Sequence, residues 1–245
     1  MGELIAILSG KGGTGKTSVC AGVATALAQM GEDVLCIDCD VGLRNLDISL
    51  GLTDSGALSF REVYSGDYDL SQAAAHPEFP KLRFLTAPIN CAPEDIDRRA
   101  FGEMLRQARG LFSYILLDAP AGIDVGFQLC AAFADRVILV TGSDPASIRD
   151  AARAGEVLEL MGKDRIRLVV NRIHPKMFDT MGITVDDIMD RAGLPLLGIV
   201  PEDPNVTLAA AFQKSLLRYT KKGAAAACRR IAKRILGIPV PVSIR

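Results

Sequence analysis

With 245 residues, 49% of them hydrophobic, and a formal charge of −1, the chain carries enough apolar material for one substantial α/β core. No run approaches the ~18–20 consecutive apolar residues that span a bilayer, and Glu3 stands where a signal peptide carries positive charge, so the expected address is the cytoplasm. The balanced charge hides an asymmetry. Nine of the 28 Lys and Arg fall in residues 204–245 with no Asp or Glu among them, which leaves 19 against 29, or −10, for residues 1–203. A basic end on an acidic body points to an anionic partner surface.

Leu4 to Leu8 reads as a strand and runs into Gly10-Lys11-Gly12-Gly13-Thr14-Gly15-Lys16-Thr17, after which Lys16 to Met30 reads as an Ala-rich helix. This is the G-x-x-x-x-G-K-[ST] phosphate loop in its expected strand–loop–helix setting. Glycines let the backbone wrap a phosphate, N–H groups at the helix start point at it, and Lys16 adds a mobile positive charge. The Thr17 hydroxyl would coordinate Mg²⁺.

The next strand, Asp33 to Asp38, ends in Asp38-Cys39-Asp40. Side chains two apart on a strand share a side, so both carboxylates are expected to face the phosphate pocket, one serving Mg²⁺ and the other orienting water. Of the six cysteines only Cys36 and Cys39 have C-x-x-C spacing, but on a strand residues three apart diverge, so this pair is expected as buried apolar groups. Residues 66–92 match no motif. Leu82 to Ala87 is the next strand, Pro93 to Arg109 a helix, and Tyr114 to Asp118 a buried strand whose terminal Asp118 is placed to meet Mg²⁺. Further strands are expected at Arg136 to Thr141, Arg167 to Asn171 and Leu196 to Val200, with helices at Ala146 to Met161 and Thr184 to Ala192. Continuous Val/Ile/Leu runs alternating with helices imply a doubly wound, mostly parallel sheet in a single domain, with ligands at the carboxyl ends of its strands. His76 and His174 lack partners at metal or catalytic spacing and read as structural or exposed. Asn171-Arg172-Ile173-His174 lacks the N-K-x-D signal of guanine sites.

Residues 224–238 form an amphipathic helical pattern. Ile231, Ala232, Ile235, Leu236 and Ile238 fall on one arc, opposite Arg229, Arg230, Lys233 and Arg234. That pattern fits a helix lying in a membrane interface, an ordinary helix docked on the domain, or a basic face for nucleic acid.

Lys11 at the second loop position of K-G-G-x-G-K-T resembles the deviant Walker A ATPases, the ParA/MinD family within the SIMIBI-type P-loop NTPases. Asp38-Cys39-Asp40-Val41-Gly42-Leu43-Arg44-Asn45-Leu46-Asp47 and Asp118-Ala119-Pro120-Ala121-Gly122-Ile123 are similar to switch I and switch II of its MinD branch. ParA-like, flagellar-number (FlhG-like) and metabolic P-loop ligase readings are the alternatives. The resemblance implies an ATP hydrolase that uses Mg²⁺ and forms a homodimer with ATP. In it Lys11 reaches the partner's nucleotide, Lys16 and Asp40 serve catalysis, and Thr17, Asp38 and Asp118 hold the metal. Ser18, Asn171, Arg172, Pro201 and Asp203 join the nucleotide site, while Arg44, Asn45, Asp47 and Gly122 act in the switches and dimer. It also implies a domain over residues 1–223, with a tail over 224–245. The tail would seat the protein on the anionic inner membrane surface through Ile231, Ile235, Leu236, Arg230 and Arg234. Its implied partners are a MinC-like division inhibitor and MinE or another topological factor, with no sequence-specific nucleic acid.

Overall fold

A computed structural model describes residues 1–53, 56–89, 91–174, 180 and 182–243. Ile244 and Arg245 of the expected tail lie outside them. Eight strands form one sheet: β1 (Glu3–Leu8), β2 (Val34–Asp38), β3 (Ala74–Ala75), β4 (Leu82–Leu85), β5 (Tyr114–Asp118), β6 (Arg136–Thr141), β7 (Ile166–Ile173) and β8 (Leu196–Pro201). Their spatial order is β3-β4-β2-β5-β1-β6-β7-β8, parallel throughout except for β3 against β4. The seven strands expected from sequence are all present. The short β3, within residues 66–92, is an addition: two alanines give no periodic signal to read.

Ten α-helices occur among the described residues: α1 (Lys16–Gln29), α2 (Leu46–Leu50), α3 (Phe60–Tyr64), α4 (Arg98–Leu111), α5 (Val125–Phe133), α6 (Pro145–Leu160), α7 (Val185–Ala192), α8 (Pro204–Ala211), α9 (Leu216–Tyr219) and α10 (Gly223–Ile235). The strands are apolar without interruption because both sheet faces are covered. Ile5, Ile7, Val34, Cys36, Leu116 and Ile138 point into one core with α1 and α10. Leu4, Ala6, Leu8, Leu35, Ile37 and Leu117 point into the other, beneath α4, α5 and α6. The chain works outward from β1 to β2 and β4 on one side and from β6 to β8 on the other. The crevice above β1 is therefore the reversal point where doubly wound sheets bind ligands.

The helix expected at the tail exists, but its apolar face is not free. Ile231 is 0% exposed and Ile235 4%, packed with Ala224, Ala225, Ala227, Cys228 and Ala232 into the same core as α1. Two glycines receive it. A Cβ on Gly22 of α1 would meet the Cys228 sulfur at 2.5 Å, and one on Gly198 of β8 would meet Ile231 Cγ1 at 2.5 Å. Leu236 is half-buried against the same cluster. Nor do the two arginines face outward freely. Arg234 donates to the carbonyls of Leu197, Val240 and Pro241, and Arg230 donates to that of Ser243, so residues 240–243 are folded back along α10. The expected division at residue 223 and the assignment of Ile231, Ile235, Leu236, Arg230 and Arg234 to a membrane face are thus corrected. An amphipathic pattern records that one face is dry, and here the dry surface is the protein's own sheet and α1.

Replacing Ile231 with Ala should therefore cost about 3 kcal/mol, roughly 6–12 °C in Tm. Ile235→Glu, which buries a charge in the same core, should cost more. Thermal unfolding without lipid checks this, and an unchanged Tm for both variants would put the face outside the core.

Candidate nucleotide-binding site

The phosphate loop joins β1 to α1. Its Gly15 caps α1 in the left-handed region (φ 82°, ψ 23°), and no side chain bonds the helix's first N–H groups. Those donors, with no acidic residue in the first turn, leave the positive end of the helix facing the loop's concavity. Two glycines are required by close approach: a Cβ on Gly10 would run into the Asp150 carbonyl, and one on Gly15 into the Asn171 amide. The Thr14 hydroxyl is buried with no hydrogen-bond partner, an unanswered polar group within a loop suited to phosphate oxygens.

Beneath the loop lies a buried cluster of charge. Lys16, 6% exposed, places Nζ 2.6 Å from Oδ1 of Asp118, which is 1% exposed. Burial opposes the lysine's charge, but the Asp118 carboxylate outweighs it and holds the ammonium above its usual pKa. Asp38 and Asp118 are register partners on β2 and β5, so their carboxylates stand side by side. Asp38 accepts from the backbone N–H of Asp40 at 2.9 Å and of Leu46 at 3.2 Å. Burial first, and the neighbouring Asp118 second, push its pKa up to about 7. Thr17 closes the group, its hydroxyl oxygen accepting from Lys16 Nζ at 3.4 Å. One hydroxyl and two carboxylates are hard oxygen donors, the set that suits Mg²⁺ completed by phosphate and water. Thr17, Asp38 and Asp118, expected as metal ligands, are thus brought together. Asp40 sits just past the end of β2, half-buried, with Oδ1 accepting from Gly42 N–H at 3.3 Å.

The remaining expected residues divide. Lys11 lies 3.4 Å from Asp144, the N-cap of α6, with both side chains about half exposed. Nothing local in the sequence reveals this pairing across 133 residues. A break in the β7–β8 register between Val170 and Ile173 turns the chain toward the loop, with Arg172 at φ 57°. Asn171 then donates to the Thr14 carbonyl at 2.7 Å and Arg172 to that of Gly13 at 3.1 Å. Arg172 also pairs with Glu202 at 3.5 Å. Ser18, Asn171, Arg172, Pro201 and Asp203 line one cleft, and Val206, Leu216 and Cys228 supply its apolar wall. That wall escapes a sequence reading which sends α10 away from the domain. Asp203 also caps two helices, accepting from Asn205 N–H and Ala224 N–H. In the switch segments, Arg44 takes φ 42°, Asn45 is exposed, Asp47 accepts from Ile48 N–H, and Gly122 (φ 98°) donates to the Ser9 carbonyl.

A pH effect follows from Asp38. In the unfolded chain an Asp titrates near 3.9. Folding raises it to about 7, so the folded state holds the extra proton between these values. Its contribution to stability is complete below about pH 4 and lost as pH rises through 7. The nucleotide-free protein should therefore lose stability from pH 5 to pH 8, and Asp38→Asn should flatten that decline. Denaturant midpoints across the range test it; parallel profiles for the two proteins would contradict it.

Comparison with known proteins agrees with this geometry. A family described as CbiA, the CobQ/CobB/MinD/ParA nucleotide binding domain, matches residues 5–216. The chain is 34% identical over 244 residues to the septum site-determining protein MinD of Synechocystis, covering 98% of this chain and 92% of that one. It is 37% identical over 255 residues to the protein of the same name from Bacillus subtilis, covering 100% and 92%. The fold matches a chain of the MinC:MinD cell division protein complex from Aquifex aeolicus with a TM-score of 0.91, 33% identity and 98% of each chain covered. MinD of Pyrococcus horikoshii complexed with Mg-ADP gives a TM-score of 0.83 at 30% identity, with 96% of each chain covered.

Proposed function

The chain belongs to the CobQ/CobB/MinD/ParA nucleotide-binding family, in its MinD branch, and from that premise we propose how its residues run the cycle of a septum-site-determining ATPase. It is a P-loop ATP hydrolase whose cofactor is Mg²⁺. The observation that carries the proposal is the buried Lys16–Asp118 pair beneath an open helix N-terminus, with Asp38 in register beside it. The γ-phosphate of ATP would offer Lys16 a new anionic partner and leave the Asp118 carboxylate free as an oxygen donor. Thr17, Asp38 and Asp118 would hold Mg²⁺, which would supply positive charge against that developing on the phosphate. Asp40, nearer the surface, orients the attacking water.

Lys11 completes the site in a second copy of the chain. Its partner Asp144 is half exposed, and a surface ion pair of this kind is weak, so exchange for a phosphate of the facing subunit is cheap. The second cation then reaches the transition state only after two subunits meet, which couples hydrolysis to dimerisation. The Aquifex aeolicus MinC:MinD assembly supports a MinC-like inhibitor as partner. A topological factor of the MinE kind, stimulating hydrolysis, would return monomers to the cytoplasm.

We place the dimer on the anionic inner face of the membrane by charge rather than by the buried face of α10. Lys221, Lys222 and Lys233 are exposed on a stretch without acids, and Ile238 and Val242 are exposed beyond it. Each basic residue near anionic lipid contributes about 1 kcal/mol, and two tails in one dimer act together. Sedimentation with phosphatidylserine vesicles in ATP should fall steeply with salt and be lost in Lys221→Glu/Lys222→Glu/Lys233→Glu. Equal binding by that variant would refute the charge-based seat.

For the site itself, light scattering after ATP addition distinguishes three roles. Lys16→Ala should lose nucleotide affinity. Lys11→Ala should bind ATP as a monomer and fail to dimerise. Asp40→Ala should dimerise and stay dimeric because turnover is lost. Normal dimerisation and hydrolysis by Lys11→Ala would remove the trans role.

A further inference from the structure

We propose that His76 is a positioning residue for ATP hydrolysis, fixing the far end of α2 so that this helix, whose near end is tied to Asp38, moves as a unit. The proposal rests on the assignment of Asp38 and Asp40 to the hydrolytic centre. It adds a residue that lies outside every motif of the chain.

His76 follows β3 and is 3% exposed. Its Nε2–H donates to the carbonyl of Leu50, the last residue of α2, at 2.9 Å, while Nδ1 accepts from Glu78 N–H at 3.1 Å. These two bonds specify one neutral tautomer. The ring is locked further by an edge contact with Phe79, centroids 5.0 Å apart, and its backbone N–H donates to the Leu82 carbonyl beside β4. The side chain is thus a rigid post rooted at the sheet edge.

Such a post matters because α2 has only five residues, too few to persist without outside contacts. Its first N–H, at Leu46, donates to Asp38 Oδ2 at 3.2 Å. Its last carbonyl is held by His76, and Gly51, which caps it at φ 74°, sits against the backbone of Lys214 and Ser215. The loop between Asp40 and Leu46 carries the left-handed Arg44. Any rearrangement of the Asp38 carboxylate is felt at Leu46. With Leu50 fixed, that displacement goes into the Asp40–Asn45 loop instead of fraying the helix, and Asp40 is carried to a defined place. Without His76 the far end can yield and Asp40 loses its position, although the phosphate loop and the cleft lined by Asn171 and Asp203 are untouched.

The test is steady-state ATP hydrolysis by His76→Ala and His76→Gln, with hydrogen exchange of the Ser49–Leu52 amides measured on the same nucleotide-free proteins. Gln can place an amide N–H near the position of Nε2. His76→Ala should lower kcat about 5- to 10-fold, the loss of one hydrogen bond's worth of positioning, with KM for ATP changed less than about 2-fold. Exchange at Ser49–Leu52 should quicken, and His76→Gln should recover most of both. Unchanged kcat or unchanged exchange in His76→Ala overturns the proposal. So does a parallel loss of kcat, KM and Tm in both variants, which would make His76 a packing residue only. Asp40→Ala serves as the separate control for the centre itself, and exchange at Ser49–Leu52 does not depend on it.

Discussion

The ion pair between Lys16 and Asp118 is the constraint on which the site depends. Two carboxylates, Asp38 and Asp118, are driven into register at the buried ends of β2 and β5, where unpaired charge is costly. Lys16 answers one of them directly, and Asp38 answers the second problem by keeping a proton near neutral pH. The resting site is therefore a neutralised cluster that stands ready for a stronger bargain. On the proposed reading Mg²⁺ and phosphate would supply opposite charges to the same groups, so that ligand binding would exchange partners and leave none stranded.

The same economy of partners extends outward from the cluster. Asn171 and Arg172 hold the carbonyls of Thr14 and Gly13, and the Asp38 carboxylate holds the first N–H of α2. Each of these bonds ties a side chain of the candidate site to a backbone group of the phosphate loop or of α2. Lys11 belongs to this set in a looser way: its contact with Asp144 is exposed and readily exchanged. The two lysines of one loop thus sit in a tight, buried inner pair and a loose, exposed outer pair.

The alternation of apolar runs with helices made the parallel strands and their order of appearance legible, and the phosphate loop, Asp38, Asp40 and Asp118 followed from their places at strand ends. What escaped was pairing at long range. His76 finds Leu50 across 26 residues and Lys11 finds Asp144 across 133, and no periodicity records either. The helix at Gly223–Ile235 was legible as amphipathic, yet its pattern is the same whether the dry face meets lipid or protein. The small residues Gly22 and Gly198, notched to receive Cys228 and Ile231, carried the deciding information, but only a known packing partner lets them be read that way. Once docked, α10 both closes the core and, through Cys228, walls the cleft lined by Asn171 and Asp203.

The central claim is that Lys16 and Asp118 act as one buried unit in the nucleotide-free protein. A double-mutant cycle on unfolding free energy, with Lys16→Met, Asp118→Asn and the double variant, tests it most directly. Each single change should cost about 3–5 kcal/mol because it leaves a buried partner uncompensated, and the double variant should cost well under the sum. Additivity to within about 0.5 kcal/mol would mean that the two groups do not depend on one another, and the account of the resting site would fail.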